Sequence, residues 1–312
     1  MGATGLIGRT VVEELFAKKF PIEELFLVAS SRSVDKIIYI NETSFKIVQL
    51  EKEIFKNMDF VFFCAGSEIS RIWVPIALEM GAIVIDNSSY FRMDNNCSLI
   101  VPEINFDMIN INNVIANPNC STIQSVICLD ALKEFGLTKV IYNTYQSISG
   151  SGNKALVSKE SYYPYNINIT CIPKIDNYLE NGYTLEEIKM INETKKILQL
   201  SGLPVNATCV RVPVDFSHGV SVIVSLEKDF SLEDIYNAFA NKGGVKIVDC
   251  PTSIHSNGND YVYIGRIRKD INDPKTLMFY CVADNLRRGA ASNAVKIALK
   301  IIENYIAYKN QL

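Results

Sequence analysis

The chain has 312 residues, of which 48% are hydrophobic and 21% charged, and its formal net charge is −3. A chain of this length exceeds the size at which one core keeps growing, so we expect two domains of roughly 150 residues. The balanced charge excludes a global basic field for nucleic acid or an anionic membrane. No stretch approaches the roughly 18 consecutive apolar residues of a membrane span. We therefore expect a cytoplasmic protein that binds neither nucleic acid nor a membrane.

The cysteines indicate a reducing compartment. Eight of them are scattered along the chain without a CxxC pair. This spacing argues against a zinc site and against a disulfide framework, so we expect no bound metal. Reduced thiols are typical of the cytoplasm. All but one of the cysteines are interpreted as small buried hydrophobic side chains.

The first third of the chain alternates short apolar runs with helical patterns, which is typical of a parallel sheet wrapped by helices. The predicted strands are Leu25–Ala29, Phe60–Cys64, Ala82–Asp86 and Val114–Ala116, and the predicted helices cover 8–19 and 69–80. This part is expected to form a Rossmann-type dinucleotide-binding domain, over residues 1–120.

The pattern changes after residue 120, and an α+β domain with a mixed, largely antiparallel sheet is predicted for residues 121–285. Its predicted strands are Val140–Ile148, Ala207–Val214 and Val220–Leu226. One predicted helix is capped by Ser121 or Thr122 and closed by Gly136 just past its end. A second begins with the Thr184–Glu187 capping box and ends near Leu200. A last amphipathic helix, from about Ala290 to Tyr305, is expected to complete the first domain through residues 286–312.

A glycine-rich loop opens the chain. Gly2, Gly5 and Gly8 form GxxGxxG before a helical pattern, where glycine lets the backbone approach a pyrophosphate at a helix N-terminus. An ordinary glycine turn is the alternative. The fingerprint also requires a strand before its first glycine, and here Met1 alone precedes it. We therefore expect a gap in the sheet, from a mis-set start or a truncated chain, unless another segment fills it.

The segment Ser30–Ser33 follows the predicted strand Leu25–Ala29, which corresponds to the second strand of a Rossmann fold because the first is missing here. Rossmann proteins place the residue that reads the ribose 2′ position directly after that strand. An acidic residue there selects NAD, whereas this segment offers Arg32 and hydroxyl groups. The sequence therefore favours NADP. A solvated polar turn remains the alternative.

A candidate nucleophile lies at the start of a predicted helix. Backbone N–H groups and the helix dipole around Cys120 favour a thiolate and can also hold an oxyanion. One of the two histidines, His218, can exchange a proton with it, and Arg211 has a planar fork suited to a carboxylate. A structural cysteine is the alternative. We interpret His255 as a solvated loop residue.

Three further charges are ambiguous from the sequence alone. Glu193 and Lys196 are three residues apart on the capped helix, so both can face one cleft or form a surface salt bridge. Arg92, after the third predicted strand, is a candidate ligand or a surface charge.

Nine ordered segments together resemble the aspartate-semialdehyde dehydrogenase family, from Gly2 to about Ile302. They are GATGLIG, ASSRS, DNSSYFRMD, LIVPEIN, NPNCST, TYQSISGSG, ENGYTLEEIKMINETKK, ATCVRVPV and ADNLRRGAASNAV. The resemblance implies reversible, NADPH-dependent reduction of L-4-aspartyl phosphate to L-aspartate 4-semialdehyde with release of phosphate, on the route to lysine, methionine and threonine. It also implies a homodimer joined through the sheet of the second domain.

The resemblance implies a role for each matching residue. Cys120 is the nucleophile and His218 its acid/base partner. Arg211 binds the substrate carboxylate, Glu193 its ammonium group, and Gln146 orients the acyl group. The phosphate ligands are Arg92, Lys196 and Asn119. The residues implied to contact NADP are Thr4, Gly5, Leu6, Ile7, Arg32, Ser33, Ser149, Gly150 and Asn285.

One departure and three alternatives accompany the resemblance. Ser217 stands before His218 where the family usually has glycine or alanine. N-acetyl-γ-glutamyl-phosphate reductase and glyceraldehyde-3-phosphate dehydrogenase use the same chemistry, but Asn119-Cys120-Ser121 fits neither of their usual cysteine segments. A cofactor-binding remnant that has lost turnover with its first strand is the non-enzymatic alternative.

Overall fold

The computed structural model describes residues 1–40 and 43–309, and the chain divides into two compact units. The first unit comprises Met1–Pro118 and Ala290–Leu312, and the second comprises Asn119–Gly289. None of the helices in these described ranges is long and apolar enough to cross a membrane. None of the eight cysteines forms a disulfide, and the prediction that all but one are buried is wrong for Cys171 and Cys250, which are exposed.

The first unit is a Rossmann-like α/β domain. In chain order its elements are α1 (Leu6–Ala17), β1 (Leu27–Val28), β2 (Ile37–Ile40), β3 (Thr43–Val48), β4 (Phe60–Phe63), α2 (Ser67–Glu79), β5 (Ile83–Asp86), β6 (Ser98–Leu99) and β7 (Ile115–Ala116). The strands form two sheets, in the orders β1-β3-β2 and β4-β5-β7-β6. The second of these sheets is parallel throughout, as the apolar runs predict.

The predicted elements of this unit are confirmed, with ends shifted by one or two residues, but β2, β3 and the two-residue strand β6 were not predicted. These two strands pair antiparallel, and β3 also pairs with β1 in parallel. The outward-facing side chains of β2 are exposed, since its burial alternates along the strand. Such an edge strand depends on its neighbours more than on its own composition, which is why the sequence pattern missed it.

The second unit is an α+β domain. Its elements are α3 (Cys120–Ala131), β8 (Leu137–Gln146), α4 (Asn153–Val157), α5 (Lys159–Tyr162), α6 (Leu185–Leu198), β9 (Val205–Arg211), β10 (His218–Leu226), α7 (Leu232–Asn241), β11 (Val245–Ile247), α8 (Ser253–Ser256), β12 (Val262–Lys269) and β13 (Thr276–Ala283). The six strands form one mixed sheet in the order β11-β12-β13-β10-β8-β9.

Several sequence predictions for this unit are wrong in detail. Asn119, not Ser121 or Thr122, caps α3. The α-helix ends at Ala131, a 3₁₀ turn follows at Lys133–Phe135, and Gly136 closes that turn with a φ of +76°, just past the helical segment as predicted. The strand β9 pairs with β8 in parallel rather than antiparallel. This is possible because α6 connects the two strands and crosses over the sheet between them. The capping box of Thr184 and Glu187 at the start of α6 is confirmed.

The chain returns to the first unit through an irregular helical turn. A π-helical segment, Arg287–Ala291, is followed by α9 (Ser292–Lys309). The predicted last helix began inside this π-helical turn and ended four residues early. The inner face of α9 packs on the four-stranded sheet of its own unit through Ala294, Ile297, Ala298 and Ile301.

The sheet of the first unit is interrupted between β1 and β4. Within residues 1–40 and 43–309, no named strand pairs with the outer edge of either one. In the described part of the chain, Met1 and Ala3 form the backbone hydrogen bonds at this interruption. The Ala3 N–H donates to the Val28 carbonyl at 3.1 Å, and the Cys64 N–H donates to the Met1 carbonyl at 3.0 Å. The Met1 amino group donates to the Phe62 carbonyl at 2.9 Å.

A cavity continues the line of Met1 and Ala3 along this interruption. It holds about 680 Å³ of space between atoms, including the part open to solvent. Its lining is largely apolar and includes Val12, Leu15, Leu25, Leu27, Val61 and Phe62. Burial lowers the pKa of the Met1 ammonium group at one end of the cavity. The expected gap in the sheet is therefore present.

We predict that an extension of about five residues, rich in Val and Ile and joined before Met1, stabilises the fold. Each buried Val or Ile contributes about 1.5–3 kcal/mol, which exceeds the roughly 1–2 kcal/mol cost of ordering one residue's backbone. The thermal unfolding midpoint should rise by several degrees. A Gly/Ser extension of equal length is the control, because it removes the same buried ammonium without filling the cavity. Equal midpoints for the two extensions would contradict the prediction.

Candidate active site

Cys120 is the first residue of α3. The Asn119 side chain caps this helix, since its Oδ1 accepts the N–H groups of Ser121 at 2.9 Å and Thr122 at 3.2 Å. The Cys120 side chain is partly exposed, whereas the nine following residues of the helix are buried. The helix therefore presents a thiol at its positive end, where a thiolate is stabilised.

Gly289 lies directly against the nucleophile. A Cβ atom built on Gly289 would stand 2.8 Å from the Cys120 Cβ and 3.2 Å from its Cα. Any side chain at Gly289 would therefore displace Cys120. Gly289 belongs to the π-helical turn Arg287–Ala291. Gly289 was not among the predicted site residues, although it lies in the motif ADNLRRGAASNAV.

Two acidic residues of α6 hold Asn119 from the opposite side. The Asn119 backbone N–H donates to Glu193 Oε2 at 2.6 Å, and its side-chain Nδ2 donates to Glu186 Oε1 at 2.8 Å. Both carboxylate residues are buried. Glu193, expected to bind the substrate ammonium group, thus also supports the residue before Cys120. Asn119, expected at the phosphate, is fixed through its backbone N–H, its side-chain Nδ2 and its side-chain Oδ1.

Glu186 was not singled out in the sequence. Its Oε1 also accepts Gln146 Nε2 at 2.9 Å, and its Oε2 accepts the Lys189 ammonium at 3.1 Å. Burial would raise the pKa of the Glu186 carboxyl, but Lys189 and the amide hydrogen bonds lower it to about 2. Glu186 is therefore a carboxylate at neutral pH. The capping-box pattern Thr184-Leu-Glu-Glu187 predicts a role for Glu187 only, and no sequence pattern distinguishes its neighbour Glu186.

His218 is buried at the first position of β10. The Ser147 N–H donates to His218 Nδ1 at 2.9 Å. Because a backbone N–H can only donate, Nδ1 must accept, which assigns the ring proton to Nε2. Burial, followed by the Arg211 guanidinium, lowers the pKa of His218 to about 3. His218 is thus a neutral ring whose Nε2–H has no hydrogen-bond partner among the described residues.

Asn285 fixes the backbone around His218. Its Oδ1 accepts the hydroxyl groups of Ser147 and Ser149, both at 3.1 Å, and the Ser217 N–H at 2.9 Å. Ser217 has a φ of +72°, a region that favours glycine and costs other residues about 1–2 kcal/mol. This explains why glycine suits the position before the histidine. The expected NADP contacts Ser149 and Asn285 therefore lie within one hydrogen-bonded group with His218.

Arg211 and Gly150 lie next to the same histidine. The buried Arg211 side chain donates from Nη1 to the Ser147 carbonyl at 2.6 Å. A Cβ built on Gly150 would stand 2.8 Å from Arg211 Nη1 and 3.0 Å from His218 Nε2. The second unit thus brings the predicted residues Cys120, Asn119, Gln146, Ser149, Gly150, Glu193, Arg211, His218 and Asn285 into one connected hydrogen-bonding and contact network. Lys196 lies one turn beyond Glu193 on α6 and is partly exposed.

The remaining predicted residues belong to the first unit. Arg92 is 7% exposed and donates from Nη2 to the Asn87 carbonyl at 3.0 Å, so it is not a surface charge. Gly5 precedes α1, and Thr4, Leu6 and Ile7 are partly exposed around the start of that helix. Arg32 is exposed and Ser33 partly exposed, in a short 3₁₀ turn directly after β1.

The glycine loop has the geometry of a dinucleotide fingerprint. Gly2 has a φ of +74°, and the Gly5 N–H donates to the Gly2 carbonyl at 3.0 Å. A Cβ built on Gly8 would stand 2.2 Å from the same carbonyl oxygen, so the helix and the loop pack more closely than a side chain at Gly8 would allow. Glycines at a tight turn and at close packing are the roles this fingerprint requires. The loop therefore fits a pyrophosphate at the start of α1.

We predict that His218 does not take up a proton between about pH 5 and 8, because its pKa is far below the ordinary value near 6.5. The chain has two histidines, so the imidazole proton signals in an NMR titration separate cleanly. A His255→Gln variant assigns the signal of His255, and the remaining signal should stay constant. A midpoint above pH 6 for that signal would show that His218 is charged more easily than its burial allows.

Comparison with known proteins identifies both units. Residues 1–111 match the family model of the semialdehyde dehydrogenase NAD binding domain, and residues 129–288 match that of the semialdehyde dehydrogenase dimerisation domain. The chain is 38% identical to aspartate-semialdehyde dehydrogenase 2 of Vibrio cholerae over 326 residues, which cover 97% of each chain. It is 39% identical to aspartate-semialdehyde dehydrogenase of Aquifex aeolicus over 329 residues, again covering 97% of each.

Solved structures show the same relation. The crystal structure of aspartate semialdehyde dehydrogenase II from Vibrio cholerae, complexed with ASA, superposes with a TM-score of 0.93 over 97% of each chain at 38% identity. The match extends over both units and includes the elements that carry the site. The chain belongs to the aspartate-semialdehyde dehydrogenase family.

Proposed function

We propose that this protein catalyses the reversible, NADPH-dependent reduction of L-4-aspartyl phosphate to L-aspartate 4-semialdehyde and phosphate, through a thioester on Cys120. The observation that carries the proposal is that one network in the second unit holds both a thiol at the start of α3 and a buried His218 Nε2–H, which has no partner among the described residues. This arrangement supplies a nucleophile and a donor for the oxyanion it generates.

The first half of the reaction forms the thioester. The Cys120 thiolate attacks the acyl carbon, the negative charge moves to the carbonyl oxygen, and the His218 Nε2–H donates to that oxygen. When the carbonyl reforms, the C–O bond to phosphate breaks and phosphate leaves with the bonding electron pair. Arg92, Lys196 and Asn119 are assigned to the phosphate by family resemblance, and two cations there stabilise the charge on the leaving group.

The second half releases the aldehyde. NADPH, when bound, supplies a hydride to the thioester carbon. His218 again donates to the oxygen of the hemithioacetal on Cys120, and the C–S bond then breaks to return the thiolate. The carbonyl oxygen needs no proton in this sequence. In the ground state His218 therefore serves as a neutral donor, and its expected acid/base role requires Nδ1 to lose the Ser147 N–H.

The substrate and the cofactor are assigned from the same residues. Arg211 has the fork for the substrate carboxylate, Glu193 the charge for the ammonium group, and Gln146 the amide for the acyl group. The dinucleotide is assigned to residues 1–120 with 286–312. Arg32 and Ser33, after β1, favour the 2′-phosphate of NADP over the free 2′-hydroxyl of NAD.

A homodimer and a cytoplasmic location complete the proposal. One face of the six-stranded sheet packs against α3, and the other carries partly exposed apolar side chains, among them Ile141, Tyr145, Ile223, Met278 and Tyr280. Residues 121–285 are therefore assigned both catalysis and the dimer contact, which agrees with the dimerisation domain matched there. Eight free thiols favour a reducing compartment, and the reaction belongs to amino-acid biosynthesis.

We predict that Cys120→Ser lowers kcat more than about a thousand-fold, because the hydroxyl is a much poorer nucleophile at neutral pH. The measurement follows NADPH formation from aspartate 4-semialdehyde and phosphate. The matched control is Cys250→Ser, an exposed thiol of the same unit. N-acetylglutamate semialdehyde is assayed in parallel. A preference for it would mean that it, and not aspartate 4-semialdehyde, is the substrate. Absence of turnover in the wild type would favour the inactive remnant.

We predict that Arg32→Ala raises the KM for NADPH about ten-fold and leaves the KM for NADH nearly unchanged, since only NADPH carries the 2′-phosphate. Lys36→Ala is the control, because it removes an exposed cation four residues along without touching the assigned contact. Equal losses for both cofactors would mean that Arg32 does not read the 2′ position.

A further inference from the structure

The buried side of α6 carries two carboxylates that reach the segment before Cys120. Glu186 and Glu193 are seven residues apart, which is about two helical turns, so they lie on one side of the helix. Glu193 accepts the Asn119 backbone N–H, and Glu186 accepts the Asn119 side chain. The start of the nucleophile helix is therefore attached to α6 at two points.

Glu186 sets which way the Asn119 amide points. The Asn119 Oδ1 must face the Ser121 and Thr122 N–H groups to cap α3, so its Nδ2 must face the other way. On that side it finds Glu186 Oε1 at 2.8 Å, an atom that can only accept while the carboxyl is ionised. A reversed amide would place its Nδ2 donor against the two N–H donors and its Oδ1 acceptor against the Glu186 carboxylate oxygen.

The same carboxylate oxygen sets the orientation of Gln146. Gln146 Nε2 donates to Glu186 Oε1 at 2.9 Å, while Gln146 Oε1 accepts the Thr144 hydroxyl at 3.1 Å. Glu186 Oε1 thus accepts from two amides that come from different parts of the chain, the loop before α3 and the end of β8. No other residue of the described site joins Asn119 to Gln146 in this way.

A partly buried cation, Lys189, keeps the shared oxygen anionic. Lys189 Nζ donates to Glu186 Oε2 at 3.1 Å and to Asp176 Oδ2 at 2.5 Å. The pKa of Glu186 is lowered to about 2 despite its burial, so the carboxylate persists across the working pH range. This ion pair leaves Oε1 available for the two amides.

We propose that Glu186 is a positioning residue for the reaction, one that holds Asn119 and Gln146 in a single amide orientation and thereby aligns the nucleophile helix with the group that orients the acyl substrate. The inference rests on the proposed function for its kinetic consequence. Glu186 acts through its two amide partners and makes no step of the chemistry itself.

The first experiment compares Glu186→Gln with Glu187→Gln. The neighbouring Glu187 is also a buried carboxylate of α6, but it accepts the N–H groups of Thr184 at 2.7 Å and Cys209 at 3.1 Å, outside the site. We expect Glu186→Gln to lower kcat about 10- to 100-fold, as small misplacements of catalytic groups do, with the KM for NADPH unchanged. Glu187→Gln should lower the unfolding midpoint with kcat within two-fold of the wild type.

Equal kcat losses in the two variants, or a Glu186→Gln enzyme within two-fold of the wild type, would overturn the proposal. If Glu186→Gln does not fold, Glu186→Asp replaces it, since that change keeps the charge but withdraws the oxygen by one methylene; the same kcat loss is expected. A double-mutant cycle then tests the route of action. The Glu186 substitution should cost less in a Gln146→Ala background, and full additivity would contradict action through Gln146.

A second experiment does not depend on turnover. Amide hydrogen exchange of Ser121 and Thr122 should speed up in Glu186→Gln and stay at the wild-type rate in Glu187→Gln, because only the first change frees the Asn119 cap. If the wild type fails to act on aspartate 4-semialdehyde, the proposed function is wrong while this exchange still tests the positioning role. Unchanged exchange in Glu186→Gln would overturn the positioning role whatever the substrate.

Discussion

The site depends on the way the backbone before Cys120 is fixed. Asn119 caps α3 with its side-chain Oδ1, donates its backbone N–H to Glu193 and donates its side-chain Nδ2–H to Glu186. A helix start held at these three places cannot shift without losing buried hydrogen bonds, each costly to leave unmade. The position of the thiol therefore follows from the packing of α3 against α6, and the rest of the site is arranged around that contact.

Charge in the site is divided between two kinds of group. The helix N-terminus favours negative charge on sulfur, but Asn119 already occupies the N–H groups of Ser121 and Thr122. Those two amides are therefore engaged by the helix cap and not available to an oxyanion. In the proposed mechanism the oxyanion donor is the neutral His218, whose Nε2–H has no partner in the described part of the chain. A neutral donor suits a buried position because it avoids the cost of a buried charge.

Much of the fold could be predicted from the sequence, because apolar runs and capping residues report local structure directly. The strand β1, three strands of the parallel sheet (β4, β5 and β7), the α6 capping box and the glycine loop were located in this way. The hairpin of β2 and β3 and the parallel pairing of β9 were not, since both depend on which strand lies alongside. Pairing partners are a property of the folded chain, and one sequence does not display them.

The predicted site residues that lie in the second unit came mainly from family resemblance. Glu186 and Gly289 escaped notice for different reasons. Glu186 stands beside a capping residue of the same type, and Gly289 matters only because Cys120 approaches it in three dimensions. Contacts of this kind join residues that are far apart in the chain, so no local pattern announces them.

The ionised state of Glu186 has a consequence for acid tolerance. Its pKa falls from 4.5 to about 2 on folding, so the stabilisation it provides is complete above pH 4.5 and is lost as the pH falls toward 2. In the folded protein the carboxyl takes up a proton only near pH 2, and that proton removes the acceptor shared by Asn119 and Gln146. Acid therefore acts on the catalytic alignment and on the fold through one carboxyl group, and the enzyme should have no acid-stable but misaligned form in between.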